Sequence, residues 1–169
     1  MFGYDETITA ESEIAAPAET VWAQIALPGG VVRWHPFVKK NRAESWEGVR
    51  SRDNVTYYSG CSFDREVVTW HEGVGYDLKL TENGKNEALA EYRITPISEN
   101  RCVFRVVVHA TFIRKLPFPI RWTLLKFKIK PLFTQYLALS MPGFVYCAET
   151  GKQVTRNQFG SHPIFSPKV

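Results

Sequence analysis

Four histidines, His35, His71, His109 and His162, are the side chains of this 169-residue chain that change charge near neutral pH. Neither they nor the three cysteines, Cys61, Cys102 and Cys147, stand at metal-ligand or paired intervals, so no metal site, cofactor or disulfide framework is expected. No G-x-G-x-x-G, G-x-x-x-x-G-K-[ST] or G-x-S-x-G occurs, which removes the phosphate cradles and the strand-to-helix nucleophile turn. His35, within Trp34-His35-Pro36, is the sharpest catalytic candidate, because a positioned imidazole can give or take a proton at neutral pH. The competing reading is a structural turn in which the imidazole binds a backbone carbonyl. Arg65 and Glu66 are neighbours on a strand and point to opposite faces, so at most one reaches the interior, and an exposed charge is expected for either. His109 falls on the polar row of its strand and His71 beside a turn, and both are set aside.

A second pattern is electrostatic. Residues 1–100 carry 10 Lys/Arg and 16 Asp/Glu, whereas residues 101–169 carry 11 Lys/Arg and the single acid Glu149. Much of the excess lies in 114–130, where Arg114, Lys115, Arg121, Lys126, Lys128 and Lys130 are interleaved with Leu116, Phe118, Trp122, Phe127 and Ile129. Such a stretch can rest transiently on an anionic membrane surface, or it can be the wet outer face of a helix that covers a core. Nucleic acid is not expected, since no binding module accompanies the charge.

The elements that must position these residues follow from periodicity. Ile8, Ala10, Ser12 and Ile14 alternate with polar residues as a half-buried strand does. Pro17 then opens a short amphipathic helix over 18–26, and a second brief helix over 31–37 closes where Pro36 pushes His35 out of the helical region. Six strands follow, near 41–47, 52–59, 61–70, 75–81, 88–97 and 101–112, separated by Gly- and Asn-bearing turns. The last shows one apolar row, Cys102, Phe104, Val106, Val108, Ala110 and Phe112, which should face the core. From Ile120 to about Glu149 the apolar residues recur at three and four, so a long helix is predicted, kinked or restarted at Pro131 and broken at Pro142-Gly143. The predicted organisation is one domain over 1–149 with an extended surface tail over 150–169. It is an α+β chain in which a seven-stranded curved antiparallel sheet can cover its dry face only with the C-terminal helix. The opening Met1-Phe2-Gly3-Tyr4-Asp5-Glu6 holds no cationic or apolar run, and the unpaired cysteines fit a reducing compartment, so a cytoplasmic location is expected.

The segment Ile14-Ala15-Ala16-Pro17-Ala18-Glu19-Thr20-Val21-Trp22 and the later Arg33-Trp34-His35-Pro36-Phe37-Val38 resemble the opening "I-x-A-P-x-E-x-V-W" and the "x-W-H-P-x-V" of the SRPBCC or START-like superfamily, nearest to its polyketide cyclase/dehydrase and lipid-transport branch. The resemblance implies the helix-grip fold and a deep, mostly apolar pocket between sheet and helix that holds a small hydrophobic molecule such as a lipid, polyketide or aromatic metabolite. It implies a polar lining drawn from Tyr57, Tyr58, Arg65, Trp70, Tyr76 and Tyr92, with His35 near the mouth. Trp34, Phe104, Trp122, Leu125 and Ile129 complete the candidate ligand contacts. Packing is the competing reading for each of these aromatics, and the first expectation for Trp22 and Trp34. Two alternatives remain open: a cyclase or dehydratase in which His35 and a tyrosine move protons in an aldol-type closure or a dehydration, and a partner-binding module. Monomer and homodimer are both compatible with the sequence.

Overall fold

The computed structural model describes residues 7–169; the hexapeptide on which the leader reading rests lies outside the described residues. The strands are β1 (Thr7–Ile14), β2 (Val38–Ala43), β3 (Arg52–Tyr57), β4 (Ser62–His71), β5 (Gly75–Glu82), β6 (Lys85–Ser98) and β7 (Arg101–His109). The helices are α1 (Ala18–Ile25), α2 (Val31–Trp34), α3 (Ile120–Leu124) and α4 (Lys130–Thr150). The seven strands form one antiparallel sheet in the order β1-β7-β6-β5-β4-β3-β2. Register shifts at Val38/Lys40, Val67/Thr69, Leu80/Glu82 and Pro96/Ser98 bend the strands. The sheet curves around α4 in the helix-grip arrangement. Among the described residues no helix is long and apolar enough to cross a membrane.

Alternation decides which residues face the helix. Cys102, Phe104, Val106 and Val108 are buried, as their shared parity requires, and Phe104 stacks on Phe144 of α4 with ring centroids 4.0 Å apart. His35 takes the extended conformation (φ −98°, ψ 114°) that a following proline demands, which ends α2 after one turn.

Four boundaries differ from expectation, each for a physical reason. The strand expected at 41–47 runs over Val38–Ala43, because Trp46 leaves the ladder to bury its ring and donate from Nε1 to the Ile25 carbonyl at 3.1 Å. β7 stops at His109, and Thr111–Lys115 forms a 3-10 turn that buries Ile113, which an extended strand would have turned outward. The irregularity expected at Pro131 lies just upstream, where Leu125–Ile129 is a π-helical turn; the helix continues through it into α4 without a gap, and Pro131, which has no N–H to give to the preceding turn, follows directly after the wider π bonds. No break occurs at Pro142-Gly143. A Cβ on Gly143 would lie 2.6 Å from the Trp34 carbonyl oxygen, so glycine lets α4 pass against the α2 turn and continue to Thr150, where Gly151 caps it at φ 69°.

The segment after Gly151 is not merely superficial. It runs along the α2 turn through Val154 N–H to the Arg33 carbonyl (2.8 Å) and Asn157 N–H to the Pro36 carbonyl (3.1 Å). It then folds back at His162 and Ser166, whose backbones exchange two hydrogen bonds, and buries Phe165 against Tyr57 and Tyr136.

Candidate functional site

A cavity of about 310 Å3 lies between the concave face of the sheet and α4. β6 and β7 supply one wall through Ala90, Tyr92, Phe104 and Val106, and α4 supplies the other through Phe133, Tyr136, Leu137 and Met141. Trp34, His35 and Tyr57 also line the cavity, with Phe165 of the tail beside Tyr57. Glu82, Phe112, Ile129 and the exposed Ile164 line it as well, so the cavity reaches the surface between the β5–β6 turn, the π-helical turn and the tail.

Three of the polar groups of this largely apolar chamber form one chain; Cys61, Glu82, Tyr92 and Ser140 also line it. His35 Nε2 lies 2.7 Å from the Tyr136 hydroxyl, and the Tyr136 hydroxyl lies 2.8 Å from that of Tyr57. The proton order follows from the backbone. Phe37 N–H donates to His35 Nδ1 at 3.2 Å, so Nδ1 is the acceptor nitrogen and the neutral ring carries its proton on Nε2. Nε2–H then donates to Tyr136. The arrangement that gives each member one accepted and one donated bond has Tyr136 donating to Tyr57, which leaves the Tyr57 O–H as the donor turned to a cavity occupant.

Burial keeps the whole chain uncharged. Desolvation, helped by the nearby Arg65 charge, lowers the His35 pKa to about 3. Desolvation raises the Tyr57 phenol to about 12 and pushes Tyr136 well above its ordinary value. The expected proton-carrier role of His35 therefore meets a geometric obstacle: the lone pair that would accept a proton is held by the Phe37 N–H. The imidazole acts here as a fixed donor that sets the direction of the relay.

Arg65 is not the exposed strand charge expected. Its guanidinium is buried in a bidentate pair with Asp53, directly opposite on β3; Nε lies 2.7 Å from Oδ1, and Nη2 binds Oδ2. Asn41 Nδ2 donates to the same carboxylate at 2.7 Å, and the Trp46 ring lies 4.9 Å from the guanidinium carbon. The Arg65 charge acts on the cavity-lining Tyr92 phenol, while Arg65 itself does not line the cavity.

The structure thus brings Trp34, His35, Tyr57, Tyr92, Phe104 and Ile129 to the cavity wall. Six other sequence candidates lie elsewhere. Tyr58 alternates away from Tyr57 and packs under Arg156, 4.7 Å from its ring. Arg65 is turned to Asp53. Trp70 stacks on Tyr76 and donates to Glu72 at 2.8 Å, and Tyr76 donates its hydroxyl to the Ile25 carbonyl at 3.0 Å, both anchoring α1. Trp122 points outward, and Leu125 is buried in a small separate cluster with Ala110, Ile113 and Ile129. Sequence reasoning placed Tyr136 on the apolar stripe of the helix and missed its hydroxyl, although a lone tyrosine among Phe133, Leu137 and Met141 is a readable signal. Phe165 carried none.

Compared with known proteins, residues 5–138 match the family described as polyketide cyclase / dehydrase and lipid transport. No curated protein matches the chain. Among solved structures, DynU16 of the dynemicin biosynthetic locus superposes with a TM-score of 0.61 at 16% identity, covering 88% of this chain and 49% of its own, so the chain spans about half of that protein. A START superfamily protein from Mycobacterium smegmatis matches at TM-score 0.61 and 16% identity, over 82% of this chain and 96% of that one. Norcoclaurine synthase from Thalictrum flavum, in complex with dopamine and hydroxybenzaldehyde, matches at 0.59 and 16%, over 82% and 83%. At these identities the likeness is one of fold.

Proposed function

The chain belongs to the polyketide cyclase/dehydrase and lipid-transport family of the SRPBCC/START-like superfamily, and on that premise we propose that its cavity binds one small hydrophobic molecule bearing a carbonyl or similar acceptor, oriented by the Tyr57 hydroxyl. The observation that carries this reading is the directed relay, His35 to Tyr136 to Tyr57, inside a largely aromatic and aliphatic chamber. Burial of apolar ligand surface supplies the affinity, at about 25 cal/mol per Å2, and one fixed donor supplies the orientation. A lipid, a polyketide or an aromatic metabolite all fit that description. The three unpaired cysteines support a cytoplasmic setting for the same reading.

A cyclase or dehydratase is the second reading, and the same relay favours it: an O–H backed by a second hydroxyl and an imidazole can stabilise a developing enolate oxygen. Such a reaction also needs a base. Of the described groups lining the cavity, the ionisable carboxylate is Glu82, at the end of β5, which is no member of the relay. Binding is therefore the reading carried forward, with turnover as its extension.

The test is native mass spectrometry of the purified protein, followed by solvent extraction of whatever accompanies it. A stoichiometric apolar adduct with a hydrogen-bond acceptor is the expected result. An adduct that persists unchanged when Leu137 and Met141 on the helix wall are both replaced by Trp would place it outside the cavity and refute the proposal.

A further inference from the structure

Between the end of β7 and the start of α4 the chain forms a two-faced flap. Its inner face, Ile113, Leu125 and Ile129, is buried with Ala110 in a cluster separate from the main core. Its exposed side chains include Phe118, Ile120, Trp122 and Phe127, between 40% and 67% exposed, and the Trp122 and Phe127 rings meet with centroids 6.1 Å apart. Large apolar side chains grouped this way are uncommon on a surface that meets only water. Arg114, Lys115, Arg121, Lys126, Lys128 and Lys130 stand among them, and residues 114–130 hold no acid. The Lys126 ammonium lies over both the Trp122 and Phe127 rings, 4.8 and 5.3 Å from their centroids, so charge and aromatic rings share one level. The flap is flanked by cavity-lining residues, Phe112 before it and Ile129 after it, and so borders the mouth.

We propose that this flap docks the protein on the surface of an anionic lipid bilayer, with Phe118, Ile120, Trp122 and Phe127 entering the headgroup layer and the lysines and arginines meeting lipid phosphates. Charge complementarity selects the occupant. A face that is wholly cationic calls for an anionic partner, and protruding aromatics on successive turns suit a deformable interface better than a shaped protein groove. Tryptophan prefers that interfacial depth, where its ring is half dry and its N–H remains hydrated. The chain would lie on the membrane, as none of its described helices is long and apolar enough to cross it. Docking of the flap does not depend on what the cavity holds, so its absence would leave the ligand reading standing.

The experiment is co-sedimentation of the full chain with vesicles of phosphatidylcholine, with and without phosphatidylglycerol, at low and physiological salt. Binding to the anionic vesicles, weakened by salt and nearly absent with phosphatidylcholine alone, is expected. Two double variants, Trp122→Ser with Phe127→Ser and Lys126→Glu with Lys128→Glu, should each lower the partition coefficient by at least about tenfold. These exposed side chains leave the core intact, so unchanged melting and unchanged uptake of an apolar dye by the cavity serve as controls. No binding to anionic vesicles at low salt, or variants that bind as wild type does, would overturn the proposal. So would a self-associated wild type that the Trp122/Phe127 variant dissociates without any vesicle binding, since a second copy would then be the occupant.

Discussion

Removing the middle hydroxyl of the relay should damage the protein, and removing the terminal one should damage only recognition. In Tyr136→Phe, His35 Nε2–H loses the acceptor it holds at 2.7 Å and is left buried without a partner. An unsatisfied buried donor costs about 1–3 kcal/mol, and the lost Tyr136–Tyr57 bond adds roughly 1 more. For a domain of this size that corresponds to a melting temperature lower by roughly 4–16 °C. In Tyr57→Phe the only loss is the acceptor of the Tyr136 O–H, which can turn to water in the roomy cavity, so a cost below about 1 kcal/mol is expected. Affinity should show the reverse order. With a pair of apolar probes that differ by one ketone, Tyr57→Phe should weaken the ketone probe by about 2–13-fold, the equivalent of one hydrogen bond, and leave the other unchanged. Urea unfolding and fluorescence titration measure the two effects separately. If Tyr57→Phe destabilises the fold as much as Tyr136→Phe does, Tyr57 is not the end of the relay and the assigned proton order fails.

Two further outcomes concern buried charge. Asp53→Asn removes the counter-charge of the buried Arg65 guanidinium and should cost about 3–5 kcal/mol in urea unfolding, whereas Asp53→Leu with Arg65→Met should recover most of that loss; a single variant within about 1 kcal/mol of wild type would contradict the pairing. His35 titrates at about 3 in the folded chain against an ordinary 6.5, so between those values the unfolded chain binds a proton that the folded chain does not. Stability from this group is full above the upper value and falls as pH drops through the window, by up to about 1.4 kcal/mol per unit; His35→Gln should flatten that part of the slope, and an unaltered slope would show that His35 is not held neutral.

The elements were legible in the sequence wherever one face of an element is wet. β1 and β7 alternate cleanly because their outer rows meet solvent, and Pro36 marks the end of α2 by sterics alone. Arg65 was misread because its exposure depends on register: Asp53 becomes its partner only when β3 and β4 pair directly opposite, which local pattern does not reveal. The end of β7 was placed too late, at 112 and not His109, because the 3-10 turn of Thr111–Lys115, which buries Ile113 against Leu125 and Ile129, outweighs the alternation of the strand. Half of the candidate lining residues reach the cavity; of those that do not, Tyr58 differs by strand parity, whereas Trp70 stands in the same cross-strand row as Tyr92 but packs against Trp22 of α1. Phe165 lay beyond reach, since its position comes from a fold-back held at His162 and Ser166 and from tertiary contact with Tyr57 and Tyr136.

On the proposed reading, the space between sheet and helix is where a hydrophobic molecule binds. The most direct measurement is an equilibrium titration with an environment-sensitive apolar dye, comparing wild type with Ala90→Trp, which fills the cavity from the β6 wall. Saturable uptake of one dye per chain in the wild type, lost in Ala90→Trp while the variant still melts cooperatively, is the expected result. Equal uptake by both proteins, or no saturable uptake by the wild type, would contradict it.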